Sequence, residues 1–171
     1  MELTGKRALI TGAGGFVGGH LAERLAAAGC AVRCFVHAGS DGHGLLGKLP
    51  AATLDALEIV RGDLLEVAAV RRAVAGVEVV FHLAALTSVP YSFQHPHQVI
   101  ETNVMTTLNV LEAAREEGVS RVVHASSSDV YGTARYVPID ENHPLQSQSP
   151  YAASKIGADK IVETNVASYG Q

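Results

Sequence analysis

A tyrosine and a lysine stand four residues apart in the stretch SPYAASK, residues 149–155. Ser149 is a good helix N-cap and Pro150 suits the first helical position, which predicts a helix starting there. Tyr151 and Lys155 would then lie one turn apart on the same helix face. A lysine ammonium beside a phenol favours the phenolate, so the pair could form an acid–base unit. The alternative is a surface tyrosine beside a solvated lysine, and the spacing alone does not decide between the two.

Three glycines form a second group whose spacing could do chemistry. Gly12, Gly15 and Gly18 lie in the stretch TGAGGFVG, where the first apolar run ends. The first glycine permits a tight turn, the second lets backbone approach a pyrophosphate, and the third lets a helix pack against the strand. Because the motif closes a predicted strand and opens a predicted helix, it predicts dinucleotide binding, with the pyrophosphate on the amides of residues 14–17.

The acid that usually follows about 20 residues later, where it binds the adenosine ribose hydroxyls, is missing. The second predicted strand ends near His37, and the first acid after it is Asp41, inside a glycine-rich loop. A carboxylate at the strand end would repel a 2′-phosphate, so its absence leaves NADP possible beside NAD. His37 could support either cofactor or be merely exposed. Asp63, after the third strand, could receive the adenine amino group or cap a helix.

Apolar runs that alternate with amphipathic stretches must position both groups. Strands are predicted at residues 6–11, 31–36, 57–60, 77–84 and 120–126, and helices at residues 16–29, 66–76, 97–118 and from Pro150 onward. The strands are almost uninterruptedly apolar, which is typical of a sheet covered on both faces. Gly29, Gly76 and Gly118 each follow a helix, where a left-handed cap is expected. Residues 38–53 and 132–148 are predicted to be irregular.

Repeated strand–helix–strand units predict parallel strands joined by right-handed crossovers. The expected fold is therefore α/β, a doubly wound parallel sheet of the Rossmann type, in one domain over residues 1–171. Loops leaving the carboxyl ends of the strands should gather on one edge, where ligands bind in such sheets.

The composition excludes several classes of function. With 47% apolar residues, 18% charged residues and a net charge of −4, the chain is typical of a soluble globular protein and has no electrostatic reason to bind nucleic acid or an anionic membrane. No apolar run approaches the length of about 18 residues that spans a bilayer, and we expect no signal peptide. Cys30 and Cys34 are predicted on one strand about 13 Å apart, too far to pair, which suits a reducing cytoplasm. The histidine spacing predicts no metal site.

Four motifs together resemble the extended short-chain dehydrogenase/reductase family, whose members are mainly nucleotide-sugar epimerases and dehydratases. The motifs are the glycine turn with Phe16, HLAA at residues 82–85, SSSDVYG at residues 126–132 and Tyr151-x-x-x-Lys155. The resemblance runs from the first strand to the last helix. Residues 131–160 are most similar to the bacterial NAD-dependent sugar-nucleotide 4,6-dehydratases of legionaminic acid-type pathways.

The resemblance implies catalytic roles. Tyr151 would take a proton from the C4 hydroxyl of the sugar while hydride leaves C4 for the nicotinamide. Lys155 would hold Tyr151 as phenolate and bind the nicotinamide ribose. Ser127 would hydrogen-bond the C4 oxygen, while Ser126 and Ser128 are expected to cap the backbone of the loop.

The resemblance also implies a set of cofactor contacts. Asn103, in the stretch ETNV, would support the site, or else be a mid-helix polar residue that faces a neighbouring loop. The small Ala84 and Ala85 would leave room for the cofactor. The expected cofactor is NAD, with NADP as the open alternative. The full cofactor-binding set is Gly12, Gly15, Phe16, Val17, Gly18, His37, Asp63, Leu64, Leu83, Ala84, Ala85, Asn103, Tyr151 and Lys155.

Two departures from the family pattern concern the reaction. Sugar 4,6-dehydratases carry an acidic pair after the catalytic Ser/Thr, and here those positions are Ser128 and Asp129. Asp129 would be the base that removes the C5 proton, or else a loop aspartate that caps a turn. The sequence also stops at Gln171, before the C-terminal lobe that binds the nucleotide-sugar in the family. We therefore expect residues 1–171 to be the cofactor-binding part of a longer architecture and to be inactive alone.

The leading hypothesis is an NAD(P)-dependent nucleotide-sugar 4,6-dehydratase that acts in the cytoplasm as a homodimer. The alternatives are a nucleotide-sugar 4-epimerase, a non-catalytic dinucleotide-binding module, and a reductase of small carbonyl compounds. Family members pair two helices into a four-helix bundle, here the helices at residues 97–118 and 151–169. The apolar residues expected to serve that pairing are Val104, Leu108, Leu111, Ile161, Val162 and Val166.

Overall fold

The computed structural model describes residues 2–40 and 43–170, and five of its strands form a parallel sheet. The strands are β1 (Arg7–Thr11), β2 (Ala31–His37), β3 (Glu58–Gly62), β4 (Val79–His82) and β5 (Arg121–His124). Their order across the sheet is β3-β2-β1-β4-β5, and every neighbouring pair is parallel. The order reverses between β1 and β4, the point at which such sheets bind ligands beyond the carboxyl ends of the strands. The doubly wound sheet predicted from the sequence is confirmed.

Helices connect and cover these strands. They are α1 (Phe16–Ala27), α2 (Ala51–Asp55), α3 (Val67–Val74), α4 (Val89–Gln94), α5 (Pro96–Glu116) and α6 (Pro150–Tyr169), with 3-10 turns at Gly44–Lys48 and Ser128–Tyr131. The predicted strands and the helices α1, α3, α5 and α6 are confirmed. Gly29, Gly76 and Gly118 have the positive φ expected of helix caps. The sequence analysis missed α4, and it predicted an irregular loop where α2 and the first 3-10 turn lie.

The contacts group the chain into two compact units. The sheet unit comprises the residues up to Ala84 together with Asn109–Ala125. The helix unit comprises Ala85–Leu108 and Ser126–Gly170. The helix α5 therefore begins in the helix unit and ends in the sheet unit. The expectation of one domain over residues 1–171 stays a prediction.

The core of the sheet unit has two apolar layers, because alternate residues of each strand point to opposite faces of the sheet. The first layer includes Leu9, Phe35, Val80, Val74 of α3 and Val110 of α5. The second layer includes Ile10, Val36, Leu57, Leu25 of α1 and Leu46 of the 3-10 turn. Burial on both faces explains why the strands read as nearly continuous apolar runs.

In the helix unit, α6 packs against α4 and against the 3-10 turn Ser128–Tyr131. The side chain of Ser149 accepts a hydrogen bond from Ala152 N at 3.0 Å, so Ser149 is the N-cap predicted for this helix. Gly157 allows α6 to approach α5 closely, since a Cβ at Gly157 would lie 3.3 Å from Val104 Cγ2.

Membrane spans, metal clusters and cysteines were the remaining points on which the sequence made predictions. Within the described residues, no helix combines the length and the apolar character that crossing a bilayer requires. The same residues contain no cluster of three or more His, Cys, Asp or Glu side chains placed to hold a metal ion. Cys30 and Cys34 are both free thiols, but Cys30 lies just before β2 and not on the strand as predicted.

Candidate functional site

The glycine turn between β1 and α1 brings backbone groups of three segments close together. Gly12 has a φ of +70°, and a Cβ there would lie 2.8 Å from Ala84 N, so glycine is required where β1 and β4 end. A Cβ at Gly18 would collide with the Gly12 carbonyl oxygen and lie 2.8 Å from Ala13 Cα. Gly18 thereby lets the first turn of α1 pack directly on the turn.

Gly15 differs from these two glycines because its own backbone does not require glycine. Its φ of −74° and ψ of 174° suit any residue, and beyond its chain neighbours a Cβ built there would meet, among the described residues, the Gly12 oxygen alone, at a tight 3.2 Å. In the part of the chain that the structure describes, α1 has no side-chain cap and no acid in its first turn. An amide end without a side-chain cap and the positive end of the helix dipole both favour an anion, as the predicted pyrophosphate site requires.

The two residues after Gly15 present side chains to solvent at the same place. Phe16 is 76% exposed and Val17 is 64% exposed, although both are apolar and open a helix. Exposed apolar groups beside an uncapped helix start are compatible with the contacts to a dinucleotide that the sequence predicts for both residues.

The end of β2 carries the first residue expected at the adenosine ribose. His37 is exposed, and its Nδ1 accepts a hydrogen bond from Gly39 N at 3.1 Å. Its imidazole lies where dinucleotide sites usually hold an acid. Asp41, the first acid after this strand, lies outside the described residues.

The end of β3 carries the residues expected at the adenine. Asp63 accepts a hydrogen bond from Leu65 N at 2.9 Å, so its side chain caps the turn before α3. It is not the N-cap of α3 itself, because that position belongs to Glu66. Leu64 is buried in the first core layer. The capping role that the sequence left open for Asp63 is thus present in this turn.

A hydroxyl–imidazole pair that the sequence analysis missed holds the loop after β4. Thr11 and His82 are neighbours in the β1–β4 register, and Thr11 Oγ1 lies 2.8 Å from His82 Nδ1. The same oxygen accepts hydrogen bonds from the amides of Leu83 and Ala84, each at 3.2 Å. Because Oγ1 accepts from two amides, it donates its own hydrogen to His82 Nδ1. The backbone of two predicted cofactor contacts is therefore fixed beside Gly12.

In the helix unit, Tyr151 and Lys155 lie one turn apart on α6, and both are buried, with 8% and 4% of their surface exposed. Burial lowers the pKa of the Lys155 ammonium, while the charge of Asp159 acts in the opposite direction. The alternative of a solvated lysine does not match this burial. Burying an ammonium costs free energy, and such lysines concentrate at functional sites.

Asn103 ties this part of α6 to the loop that follows β4. Its Oδ1 accepts from Leu86 N at 2.8 Å, and its Nδ2 donates to Leu86 O at 3.0 Å and to Ser154 Oγ at 2.9 Å. Ser154 Oγ in turn donates to Tyr151 O at 2.6 Å. Both amide hydrogens of Asn103 are engaged by protein groups, so its contribution is to position the loop and α6.

The three serines before Asp129 divide their roles differently from the sequence prediction. Ser127 Oγ accepts from Asp129 N at 3.2 Å and is the N-cap of the 3-10 turn. The expectation that Ser126 and Ser128 cap the loop is therefore wrong for this turn. Ser126 Oγ donates to Asp159 Oδ2 at 2.6 Å. A hydroxyl that accepts one bond still has a hydrogen to donate, so Ser127 keeps a donor for a ligand.

The carboxylate of Asp129 makes no hydrogen bond or ion pair within the described residues, and the residue is exposed. Two other aspartates of the chain do use their carboxylates locally. Asp63 accepts from Leu65 N, and Asp140 Oδ1 accepts from Asn142 N at 3.0 Å. The turn-capping alternative for Asp129 does not match this geometry.

The first residues of the helix unit frame a surface hollow of about 340 Å³. Its lining is mostly apolar, although three of its side chains carry a hydroxyl, and it consists of Ala85, Leu86, Thr87, Ser88 and Tyr91. Ala85, one of the predicted cofactor contacts, thus lies in an open concavity.

The sequence of this chain is similar to those of known enzymes that act on nucleotide-sugars. The family model described as GDP-mannose 4,6 dehydratase matches residues 9–171. The UDP-glucose 4-epimerase of Mycolicibacterium smegmatis is 37% identical over 167 residues, which cover 90% of this chain and 49% of that protein. The dTDP-glucose 4,6-dehydratase of the same organism is 34% identical over 172 residues, which cover 96% of this chain and 50% of that protein.

A solved structure extends the likeness to three dimensions. The dTDP-glucose 4,6-dehydratase of Streptomyces venezuelae, crystallised with NAD bound, matches with a TM-score of 0.83 and 33% identity. The match covers 96% of this chain and 52% of that one. The chain thus spans about half the length of the relatives it matches.

Proposed function

The chain belongs to the GDP-mannose 4,6 dehydratase family of nucleotide-sugar dehydratases and epimerases, and we propose that it carries the cofactor-binding and acid–base residues of an NAD(P)-dependent nucleotide-sugar 4,6-dehydratase. The observation that carries this proposal is the buried Lys155, one helical turn beyond the buried Tyr151. Because the chain spans about half of its relatives, the activity proposed is that of the whole protein.

The proposal assigns cofactor binding to the sheet unit. The open space at Gly15 and the uncapped amides of α1 would hold the pyrophosphate. The backbone of Leu83 and Ala84, fixed by Thr11, would line the cofactor beside it. When bound, NAD supplies a hydride acceptor for C4 of the sugar and later returns that hydride.

The proposal assigns acid–base chemistry to the helix unit. Tyr151 takes the proton of the C4 hydroxyl, and the positive charge of Lys155, one turn further along α6, favours that transfer. Ser127 Oγ accepts a hydrogen bond as the N-cap of its turn, so its hydroxyl hydrogen can be donated to the C4 oxygen. Asn103 and Ser154 hold the start of α6, so that Tyr151 keeps one orientation.

Dehydration needs one more group than epimerisation. A 4-keto sugar has an acidic C5 proton, and its removal lets water leave from C6. The base must come within about 3 Å of that proton or reach it through one water. Asp129 stands two residues beyond Ser127, and its carboxylate is unengaged within the described residues, which favours this role.

A 4-epimerase is the second candidate, because one of the relatives reported above is a UDP-glucose 4-epimerase. That reaction needs only Ser127, Tyr151 and Lys155, since the keto sugar turns over and takes back its hydride. The unengaged carboxylate of Asp129 and the resemblance of residues 131–160 to the 4,6-dehydratases support the dehydratase as the first candidate.

The two candidates separate in deuterated water. The protein, at the length its gene encodes, is incubated with dTDP-glucose and with UDP-N-acetylglucosamine, and the products are analysed by NMR. We expect a 6-deoxy-4-keto sugar with deuterium at C5, lost in Asp129→Asn. Asp55→Asn, which alters an exposed aspartate of α2, is the matched control and should leave the product unchanged. Inversion at C4 without exchange at C5 would support the epimerase, and NAD binding without turnover would support the non-catalytic module.

We propose that the protein is a homodimer paired through α5 and α6. Two of the apolar residues expected at that interface have other partners, because Leu111 is buried and Val104 packs near Gly157. Other apolar side chains of the two helices are exposed and supply the surface that pairing needs. They are Ile100, Met105, Val166 and Tyr169.

A cytoplasmic location completes the proposal. Cys30 and Cys34 are free thiols, and burial raises the pKa of Cys34 to about 12. Two unpaired thiols suit a reducing compartment. A fluorescent fusion of the protein expressed in its own host tests this location.

A further inference from the structure

An acid follows Tyr151 and Lys155 on the same face of α6. Asp159 stands one helical turn beyond Lys155, as Lys155 stands one turn beyond Tyr151, so the three side chains share one face of the helix. Tyr151 and Lys155 are buried, and Asp159 is half-buried. The face that carries the proposed acid–base pair therefore continues into a carboxylate.

A serine from outside the helix holds this carboxylate. Ser126, which follows β5 and precedes the N-cap Ser127, donates to Asp159 Oδ2 at 2.6 Å. The bond fixes the orientation of the carboxylate, and a hydrogen-bond donor favours the ionised form of an acid. The proposed function uses neither residue, although their bond ties the turn that carries Ser127 to the face of α6 that carries Lys155.

Lys155 is a group that needs a negative charge close by. Burying an ammonium is costly unless an opposite charge compensates it. Lys155 is 4% exposed and lies in the second turn of α6, near the positive end of the helix dipole, which does not favour a cation. Burial lowers the pKa of Lys155, and the charge of Asp159 acts against that lowering. Asp159 thus acts in the direction that keeps Lys155 an ammonium.

The other ionisable groups of the helix unit are less suited to this role. Within that unit, α6 packs against α4, the 3-10 turn Ser128–Tyr131 and the first part of α5. The acids and bases on these elements and on α6 itself are exposed, so that solvent screens them, whereas Asp159 is half-buried. The exposed groups are His97 and Glu101 of α5, Asp129 of the turn, and Lys160 and Glu163 of α6, and the half-buried phenols are Tyr91 and Tyr131.

We propose that Asp159, held by Ser126, is the counter-ion of Lys155 and a positioning residue of the acid–base site. The inference rests on the proposed function and adds to it the group that keeps Lys155 charged while Tyr151 takes a proton. Without the charge of Asp159, Lys155 loses its own proton at a lower pH, and the site loses the positive charge that favours the transfer to Tyr151.

An NMR titration of lysine side chains labelled at Cε tests the inference without any cofactor. The protein, at the length its gene encodes, is titrated from neutral pH past the ordinary lysine pKa of 10.5, and the signal of Lys155 is the one missing from Lys155→Met. Asp159→Asn keeps an acceptor for Ser126 and removes only the charge, so we expect Lys155 to titrate at a lower pH than in the unmodified protein. Asp159→Glu restores the charge and should move the titration back toward that of the unmodified protein.

Two further variants control for charge and for folding. Glu163→Gln removes an exposed charge one turn further along α6, where Glu163 pairs with Lys160, and should leave the titration of Lys155 unchanged. Ser126→Ala keeps the charge of Asp159 but removes its donor, so it should shift the titration in the same direction as Asp159→Asn and by less. Ser126→Ala also keeps the test decisive if Asp159→Asn does not fold.

Calorimetry with NAD over the same pH range measures the consequence for the cofactor. In Asp159→Asn the affinity for NAD should begin to fall at a lower pH than in the unmodified protein, because Lys155 loses its charge earlier. An unchanged titration of Lys155 in Asp159→Asn, or equal shifts in Asp159→Asn and Glu163→Gln, would overturn the inference. If the unmodified protein does not bind NAD, the proposed function fails, whereas the titration of Lys155, measured without cofactor, still decides whether Asp159 is its counter-ion.

Discussion

At the scale of single residues, the glycine turn separates Gly12 and Gly18, which the fold requires, from Gly15, for which we propose that the ligand is the reason. Gly12 and Gly18 each stand where a Cβ would meet backbone. Gly15 has ordinary backbone angles, and a side chain there would project into the space proposed for the pyrophosphate. The sequence could predict that all three matter, but only the backbone geometry tells the two reasons apart.

Substitutions at Gly15 and Gly18 should therefore differ in kind. Gly15→Val should abolish detectable NAD binding with a smaller loss of melting temperature than Gly18→Ala, because its Cβ would lie 3.2 Å from the Gly12 oxygen while its branches would enter the space proposed for the pyrophosphate. Gly18→Ala should weaken binding and also destabilise the fold by about 1–3 kcal/mol, since the turn or α1 must move. Calorimetry and thermal unfolding measure the two effects.

The control for this pair is Gly47→Ala in the 3-10 turn Gly44–Lys48. A Cβ there would lie 3.8 Å from His43 Cβ, an ordinary contact, so neither property should change much. If Gly15→Val binds NAD with undiminished affinity, the pyrophosphate does not bind at this turn.

The buried ammonium of Lys155 should lower the stability of the fold, and the same residue should be needed for NAD binding. Burial lowers its pKa, so between that lowered value and the ordinary pKa of 10.5 the folded protein binds fewer protons than the unfolded chain. Stability should rise with pH across that window, and below it the cost of the buried ammonium is fully present. Lys155→Met should therefore raise the melting temperature at neutral pH, by about 2–4 °C for each kcal/mol relieved, while NAD binds more weakly.

Lys160→Met is the matched control for this prediction. Lys160 is exposed on the same helix and pairs with Glu163 at 2.7 Å, so its loss should not stabilise the protein. A lower melting temperature for Lys155→Met than for Lys160→Met would show that Lys155 stabilises the fold.

At the scale of elements, periodicity predicted the long helices and the strands, whereas the short elements lacked enough residues to show a period. The helix α4 has only six residues, although Ser88 accepts from Tyr91 N and Pro90 follows in its first turn. The same serine–proline pattern predicted α6, so the signal was present in the sequence. The bond between Thr11 and His82 depends on the register of two strands 71 residues apart, which no local pattern contains.

The hydrogen bonds of Asn103 should stabilise the contacts between α5, the loop after β4 and the start of α6. Asn103→Ala would leave both backbone groups of Leu86 and the hydroxyl of Ser154 without this partner. We expect a loss of roughly 2 kcal/mol in the free energy of unfolding, measured by urea denaturation, because unsatisfied buried polar groups cost about 1–3 kcal/mol.

Glu101→Ala, at an exposed position of the same helix, serves as the control for Asn103→Ala and should cost little. Equal stability of Asn103→Ala and Glu101→Ala would contradict the positioning role assigned to Asn103.

At the scale of the whole molecule, the division of labour follows the two compact units. The residues proposed to bind the cofactor at the ends of β1, β2, β3 and β4 belong to the sheet unit, and the residues proposed for acid–base chemistry on α6 and the turn before it belong to the helix unit. The likeness to relatives covers 96% of the chain, so it includes both units. The sequence motifs could predict both groups, because each lies within a few residues of a strand end or a helix start.

The proposed dimer predicts a sedimentation mass of two chains at tens of micromolar protein. Val166→Glu should produce monomers, since it puts a charge on an exposed apolar side chain of α6. Val137→Glu, in the irregular segment before α6, changes an even more exposed valine and should leave the dimer intact. A monomer for the unmodified protein would exclude pairing through these helices.

The measurement that tests the central claim most directly follows the hydride itself. The protein, at the length its gene encodes, is given nucleotide-sugars that carry deuterium at C4, with dTDP-glucose first, and the product is analysed by NMR. A 4,6-dehydratase takes that deuteride from C4 and returns it to C6. We therefore predict a 6-deoxy-4-keto sugar with deuterium at C6. Deuterium that stays at C4 of an inverted sugar would contradict the account and make the protein an epimerase.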